Sequence, residues 1–99
     1  MAQIVIPKDS ISQFCTQNHI KRLALFGSVL RDDFRSDSDI DVIVECIPGK
    51  RVGMLAMARI ERELSQIFGG RKVDLRTLAE LSRYFRDDVM KRAEVCYDA

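Results

Sequence analysis

The sequence lacks most features that announce a metal-sulfur, membrane or nucleic-acid-binding protein. It has one histidine, His19, so a His-based metal site cannot assemble within it. Its three cysteines, Cys15, Cys46 and Cys96, are odd in number, and their spacings match neither a zinc pattern nor CxxC. They read as reduced, mostly buried thiols of a cytoplasmic protein. No apolar run approaches the roughly 18 residues that a membrane-spanning helix needs. The opening MAQIVIPKDS has neither a basic lead nor a long apolar stretch, so no signal peptide is expected. An excess of one charge is also missing: 16 Lys and Arg against 15 Asp and Glu leave +1. A free-standing nucleic-acid binder normally carries a basic excess, so direct nucleic-acid binding is not expected.

What remains is an ordinary globular balance, with 46% hydrophobic and 31% charged residues in 99. A chain of this size buries about two-thirds of its unfolded surface in one core, and disorder is excluded by its apolar content. No repeat, low-complexity stretch or linker divides it, so residues 1–99 are read as a single domain. Any chemistry must come from carboxylates, hydroxyls and arginines.

The pattern predicts alternating helices and strands. Residues 4–6 form a short extended lead. Asp9 or Ser10 caps a first helix carrying Ile11, Phe14 and Cys15, which stops near Asn18-His19. Residues 22–26 read as a buried strand, ended by Gly27 and followed by a short helix over 28–33. Residues 39–46, rich in β-branched side chains, are the clearest strand. A helix over 53–68 carries Met57, Ile60, Leu64, Ile67 and Phe68 on one face and ends at Gly69-Gly70; its Met54/Met57 side is assigned to the core. A third strand spans 71–75. Thr77 caps a last helix, 81–97, with Leu81, Phe85, Val89, Ala93 and Cys96 as its stripe. The order α-β-α-β-α-β-α argues an α/β layer fold. About a dozen residues separate Phe26 from Asp39, too few for an easy parallel crossover. The first two strands are therefore expected antiparallel in a small mixed sheet flanked by helices.

That arrangement places Gly27-Ser28 beside Asp39-Ile40-Asp41. Asp39 and Asp41, two apart on a strand, share a face roughly 7 Å apart. Aspartate is disfavoured in strands, and two like charges repel unless a cation lies between them. Mg²⁺ is typically held by one or two carboxylates plus substrate phosphates. Gly27 permits close backbone approach to a ligand, and Ser28 opens a helix whose N–H groups suit a phosphate. The bland alternatives are solvated aspartates and a plain strand–helix turn. Asp74, between Val73 and Leu75 on the third strand, either completes the metal site and accepts a proton or pairs with Arg71, Arg76 or Arg31. Arg31, one turn after Ser28, either reaches phosphates or pairs with Asp39 or Asp41. Arg35, Asp37, Ser38 and His19 read as loop or surface residues.

Gly27-Ser28, ten intervening residues and Asp39-Ile40-Asp41 together resemble the GS-x10-D-x-D signature of the nucleotidyltransferase superfamily, whose fold is that of DNA polymerase β. The wider run from Leu25 to Val42 is similar to the minimal nucleotidyltransferases (MNT), antitoxin partners of HEPN ribonuclease toxins. The resemblance implies transfer of AMP from ATP to a tyrosine hydroxyl of a HEPN toxin, neutralising it. By position it makes Asp39, Asp41 and Asp74 catalytic and metal-binding, with two Mg²⁺ ions expected, and Gly27 and Ser28 nucleotide-binding; Arg31 joins the nucleotide-binding set from its own place one turn after Ser28. A non-catalytic toxin-binding antitoxin stays open. A small-molecule, aminoglycoside-type nucleotidyltransferase also stays open, although such enzymes add a domain to hold the acceptor.

Overall fold

The structure, a computed structural model, describes residues 6–30, 38–49, 53–78 and 81–98. Ile11, Phe14 and Cys15 recur at helical spacing and form the buried stripe of α1, Lys8–Gln17. Exposed His19, at φ +58°, turns the chain into β1, Ile20–Phe26. A single 3₁₀ turn, Gly27–Leu30, follows. Then come β2, Ile40–Cys46, and α2, Met54–Ile67, which buries Ile60 and Leu64. The chain continues through β3, Val73–Thr77, and α3, Arg83–Arg92, to β4, Glu94–Asp98.

The four strands form one mixed sheet in the order β3-β2-β1-β4. β1 runs antiparallel to β2 and to β4, whereas β2 and β3 are parallel. The parallel pair is joined through α2, as a crossover requires. Alternation sends Leu23, Leu25, Ile40, Val42, Val44, Val73 and Leu75 to one face, where they join Ile11, Phe14, Ile60 and Leu64 in the core. Burying each such side chain contributes about 1.5–3 kcal/mol. The other face carries Arg22, Ala24, Phe26, Asp41, Ile43, Glu45, Asp74 and Arg76. Its middle is closed, since Ala24 and Ile43 are buried. Its ends are polar, and at one of them Arg22 pairs with Glu45 at 2.7 Å.

The expected mixed sheet and the antiparallel first pair agree with this topology. Several boundaries do not. The predicted helix over 81–97 is a helix only to Arg92. Ala93 is extended (φ −73°, ψ 151°), and 94–98 become an edge strand because β1 offers them a ladder, pairing Arg22 with Asp98 and Ala24 with Val95. Phe85, assigned to the apolar stripe, is 64% exposed. Thr77 ends β3 rather than capping a helix; the cap of α3 is Ser82, whose hydroxyl accepts from the Tyr84 N–H at 3.3 Å. Pro7, not Asp9 or Ser10, stands at the N-cap of α1. β3 lies two residues later than expected, in register with β2. Met57 packs on the core, but Met54 is 91% exposed. Of the lead at 4–6 only Ile6 is described, and it is not in a strand. Residues 31–37, with Arg31, Arg35 and Asp37, lie outside the described residues.

Candidate active site

The carboxylate end of the second face is built by three strand segments. β1 ends at Phe26, whose register partner on β2 is Asp41, and Asp41 is in turn the partner of Asp74 on β3. Register partners in neighbouring strands lie about 4.8 Å apart and point to the same side. Asp41 and Asp74 are thus adjacent carboxylates on one face, both half-buried. The entry into β2 is pinned from the lead into β3: the Ile40 N–H donates to the Lys72 carbonyl at 2.9 Å, and Arg71 Nη2 donates to the Ser38 carbonyl at 3.1 Å. The outer side of β3 is tied to α2, where Glu61 Oε2 accepts from the Leu75 N–H at 3.3 Å.

Gly27 closes the site from the end of β1. Its φ is +76°, a conformation that L side chains rarely adopt. A Cβ on Gly27 would overlap Asp41 Oδ2 and stand 3.3 Å from its Cγ. Glycine is therefore required twice, for backbone angle and for room, and the main chain lies directly against the carboxylate. Ser28 is the second residue of the turn that Gly27 opens. The expected helix over 28–33 is, in its described part, the four-residue 3₁₀ turn. Such a turn carries little of the aligned dipole that a longer helix would offer to phosphate.

The acidic groups meet cations. Lys72 Nζ lies 3.8 Å from Asp39 Oδ2, and Arg76 Nη2 lies 3.4 Å from Asp74 Oδ2, both at the surface. Pairing of Asp74 with Arg76 was one of the two readings open from sequence. Asp39 stands one residue before β2. Among the described residues, no three His, Cys, Asp or Glu side chains are grouped to hold a metal ion. The donor chemistry nonetheless fits a hard divalent ion: two in-register carboxylates suffice when substrate phosphates complete the shell, and the space beside Asp41 is one that any Cβ at Gly27 would fill. Lys72 was not singled out from sequence as a neighbour of the site, whereas Arg76 was one of the three arginines offered to Asp74. Their signal was the spacing Lys-x-Asp-x-Arg, which puts all three on one face of a strand.

The thiols take no part. Burial pushes Cys15 up to about 12, with the neighbouring Cys96 adding to the shift. Burial and the charge of Glu94 raise Cys96 to about 11. Cys46 is raised by burial and then by Glu45. All three are free.

The profile of the family "Polymerase beta, Nucleotidyltransferase" matches residues 9–99. The chain belongs to the polymerase β nucleotidyltransferase family. A Methanocaldococcus jannaschii protein, named as a candidate protein adenylyltransferase, is 30% identical over 86 residues, covering 87% of this chain and 89% of that protein. A solved structure described as a candidate minimal nucleotidyltransferase superposes with a TM-score of 0.72 at 29% identity, over 87% of this chain and 85% of that one. A chain of the Shewanella oneidensis complex between a tri-AMPylated HEPN toxin and its MNT antitoxin superposes with a TM-score of 0.65 at 19% identity, over 93% and 70% of the two chains. At that identity the likeness speaks for the fold alone. The expected resemblance to MNT proteins is thus matched by this nucleotidyltransferase, and its four-strand mixed sheet is that of its neighbours.

Proposed function

We propose that this nucleotidyltransferase transfers AMP from ATP to a tyrosine hydroxyl of a partner protein, a HEPN ribonuclease toxin, and so acts as its antitoxin. The observation that carries the reading is the packing of Gly27 against Asp41, with Asp74 in register beside it. This is where the two halves of the GS-x10-D-x-D signature must meet for a triphosphate to be placed over carboxylates. Support for protein as the acceptor comes from the adenylyltransferase name of the M. jannaschii relative and from the AMPylated toxin in the Shewanella complex.

In this reading the acceptor hydroxyl oxygen bonds to the α-phosphorus of ATP, the bond from that phosphorus to the bridging oxygen breaks, and pyrophosphate leaves. Asp74 receives the hydroxyl proton, as a general base within reach of the acceptor. Gly27 and Ser28 lay their backbone along the triphosphate, and Arg31 is assigned to its phosphates. Asp39, Asp41 and Asp74 would hold two Mg²⁺ ions, which when bound offset charge on the transferring phosphate. The partner supplies the acceptor-holding surface, docking across the end of the sheet that bears Ser28, Asp39 and Asp74. Orientation of this kind contributes several kcal/mol to such reactions.

The test is incubation of the purified chain with ATP labelled at the α-phosphate, Mg²⁺ and the product of the neighbouring gene, read by intact mass. Mass increments of whole AMP units on a partner tyrosine support the proposal. A bound but unmodified partner would make the chain an occluding antitoxin. Label appearing only on a small hydroxylated compound would show a small-molecule enzyme instead.

A further inference from the structure

β3 and its lead place a cation two residues to each side of Asp74, at Lys72 and Arg76. Arg76 lies in register with Ile43, one side-chain step along the same face from the Asp41–Asp74 pair. Its Nη2 stands 3.4 Å from Asp74 Oδ2. Asp41 and Asp74 are like charges on adjoining strands, and such a pair needs positive charge at hand. In the metal-free protein the chain provides that charge from its own edge strand. A divalent ion bound at the same carboxylate would repel the guanidinium at such a separation, so the two compete.

We propose that Arg76 is a positioning residue, an internal counter-ion that holds the Asp74 carboxylate before metal binds and is displaced by the divalent cation, thereby setting the metal affinity of the site. The inference rests on the metal assignment in the proposed function. It concerns loading rather than the transfer step, and Lys72, with its looser contact to Asp39, plays the lesser part.

The test is Mn²⁺ binding, followed as loss of the free-ion paramagnetic resonance signal, alone and with AMP-PNP. The proteins are the wild type, Arg76→Gln, Arg76→Lys, Asp41→Asn and Lys91→Gln. The last removes an equal charge from α3, at the opposite end of the sheet. Arg76→Gln is expected to tighten Mn²⁺ binding about two- to fivefold, the range that the coupling of an exposed ion pair corresponds to. The rise in melting temperature caused by Mn²⁺ should grow in step, by linkage. Arg76→Lys, which keeps the charge but loses the planar fork, should tighten it by a smaller factor, and it carries the test if Arg76→Gln does not fold. Unchanged or weaker binding in the Arg76 variants overturns the proposal. Equal tightening in Lys91→Gln also overturns it, because the effect would then be one of net charge. If wild type binds no Mn²⁺, or Asp41→Asn binds it as well as wild type, the metal assignment itself fails. If wild type binds and only the Arg76 variants are silent, the failure belongs to this inference alone.

Discussion

The two faces of the sheet are drawn from the same strands, yet they follow different rules. The helix-covered face is uniformly apolar, from Leu23 and Leu25 through Ile40, Val42 and Val44 to Val73 and Leu75, all buried. The second face is buried only in its middle, at Ala24 and Ile43, and polar at both ends. At the Arg22 end, Arg22 and Glu45 make a 2.7 Å ion pair, and α3 helps enclose a cavity of about 370 Å³ lined by Arg22, Leu78, Arg86, Asp87, Met90 and Lys91. At the other end Asp41 packs against Gly27, with Asp74 in register beside it. A residue and its neighbour in sequence therefore answer to different demands: Ile40 and Val42 to packing, Asp41 to chemistry. Substitutions at adjacent positions should separate stability from activity.

The sharpest break of this comparison is Asp41→Asn. It removes a charge from the polar face without removing volume. Transfer should fall by at least about a hundredfold, the low end expected when a charged catalytic group is lost. The melting temperature should hold or rise slightly, since repulsion with Asp74 is relieved. Transfer assayed with labelled ATP, alongside thermal unfolding, checks both. Asp74→Ala should act alike on rate; if it mainly unfolds the protein, Asp74 belongs to the structural side of the ledger. Gly27→Val tests the same end differently. A branched side chain at φ +76° is strained by about 1–3 kcal/mol and would drive into Asp41. Both stability and transfer should drop, whereas Gly27→Ala should cost less on each count.

How far these features could be read in advance follows the same division. α1 and α2 were legible because their apolar residues repeat every three or four positions, and the antiparallel first pair because the loop after Phe26 is short. The Gly27–Asp41 contact followed from that pairing. β4 was not legible. Leu81, Phe85, Val89, Ala93 and Cys96 fit a helix, and the strand exists only because β1 has a free edge to pair with. Its determinants lie far away in sequence, in the pairing of Arg22 with Asp98 and Ala24 with Val95. The register that sets Asp74 opposite Asp41 was equally hidden, since local pattern does not show the parallel pairing of β3 with β2, although an Asp74–Arg76 pair was among the readings open from sequence.

On the apolar face the matching break is Leu64→Ala. Leu64 is fully buried between α2 and the sheet. Truncation should cost about 2–5 kcal/mol from lost transfer energy and the cavity left behind. In a domain of this size that lowers the melting temperature by roughly 10–30 °C. Below the new transition, transfer per folded molecule should stay within about twofold of wild type, because the side chain lies on the other side of the sheet from Asp41. A large loss of rate in fully folded Leu64→Ala would show that the two faces are coupled through β2.

The smallest expected effect is an alkaline one, and it belongs to the core at the junction of α1 and β4. Burial raises the Cys15 thiol from 9.0 to about 12 and the Cys96 thiol to about 11. The folded state thus holds both protons more tightly than the unfolded chain does. Below pH 9 both states are protonated and the thiols add no pH dependence. Above it the unfolded chain ionises first, and the stability linked to these groups is lost as pH rises from about 9 through 11 to 12. Urea midpoints should therefore be flat from pH 7 to 9 on account of these groups and fall above that range. The fall should be shallower in Cys96→Ala than in wild type, the difference isolating the contribution of this thiol. Iodoacetamide at pH 8 should leave Cys15 unmodified until the protein unfolds, since the thiolate is the reactive form. Midpoint curves that run parallel, or rapid alkylation of Cys15 in the folded protein, would show that the thiols are not sealed in the core and that α1 and β4 part more readily than their packing implies.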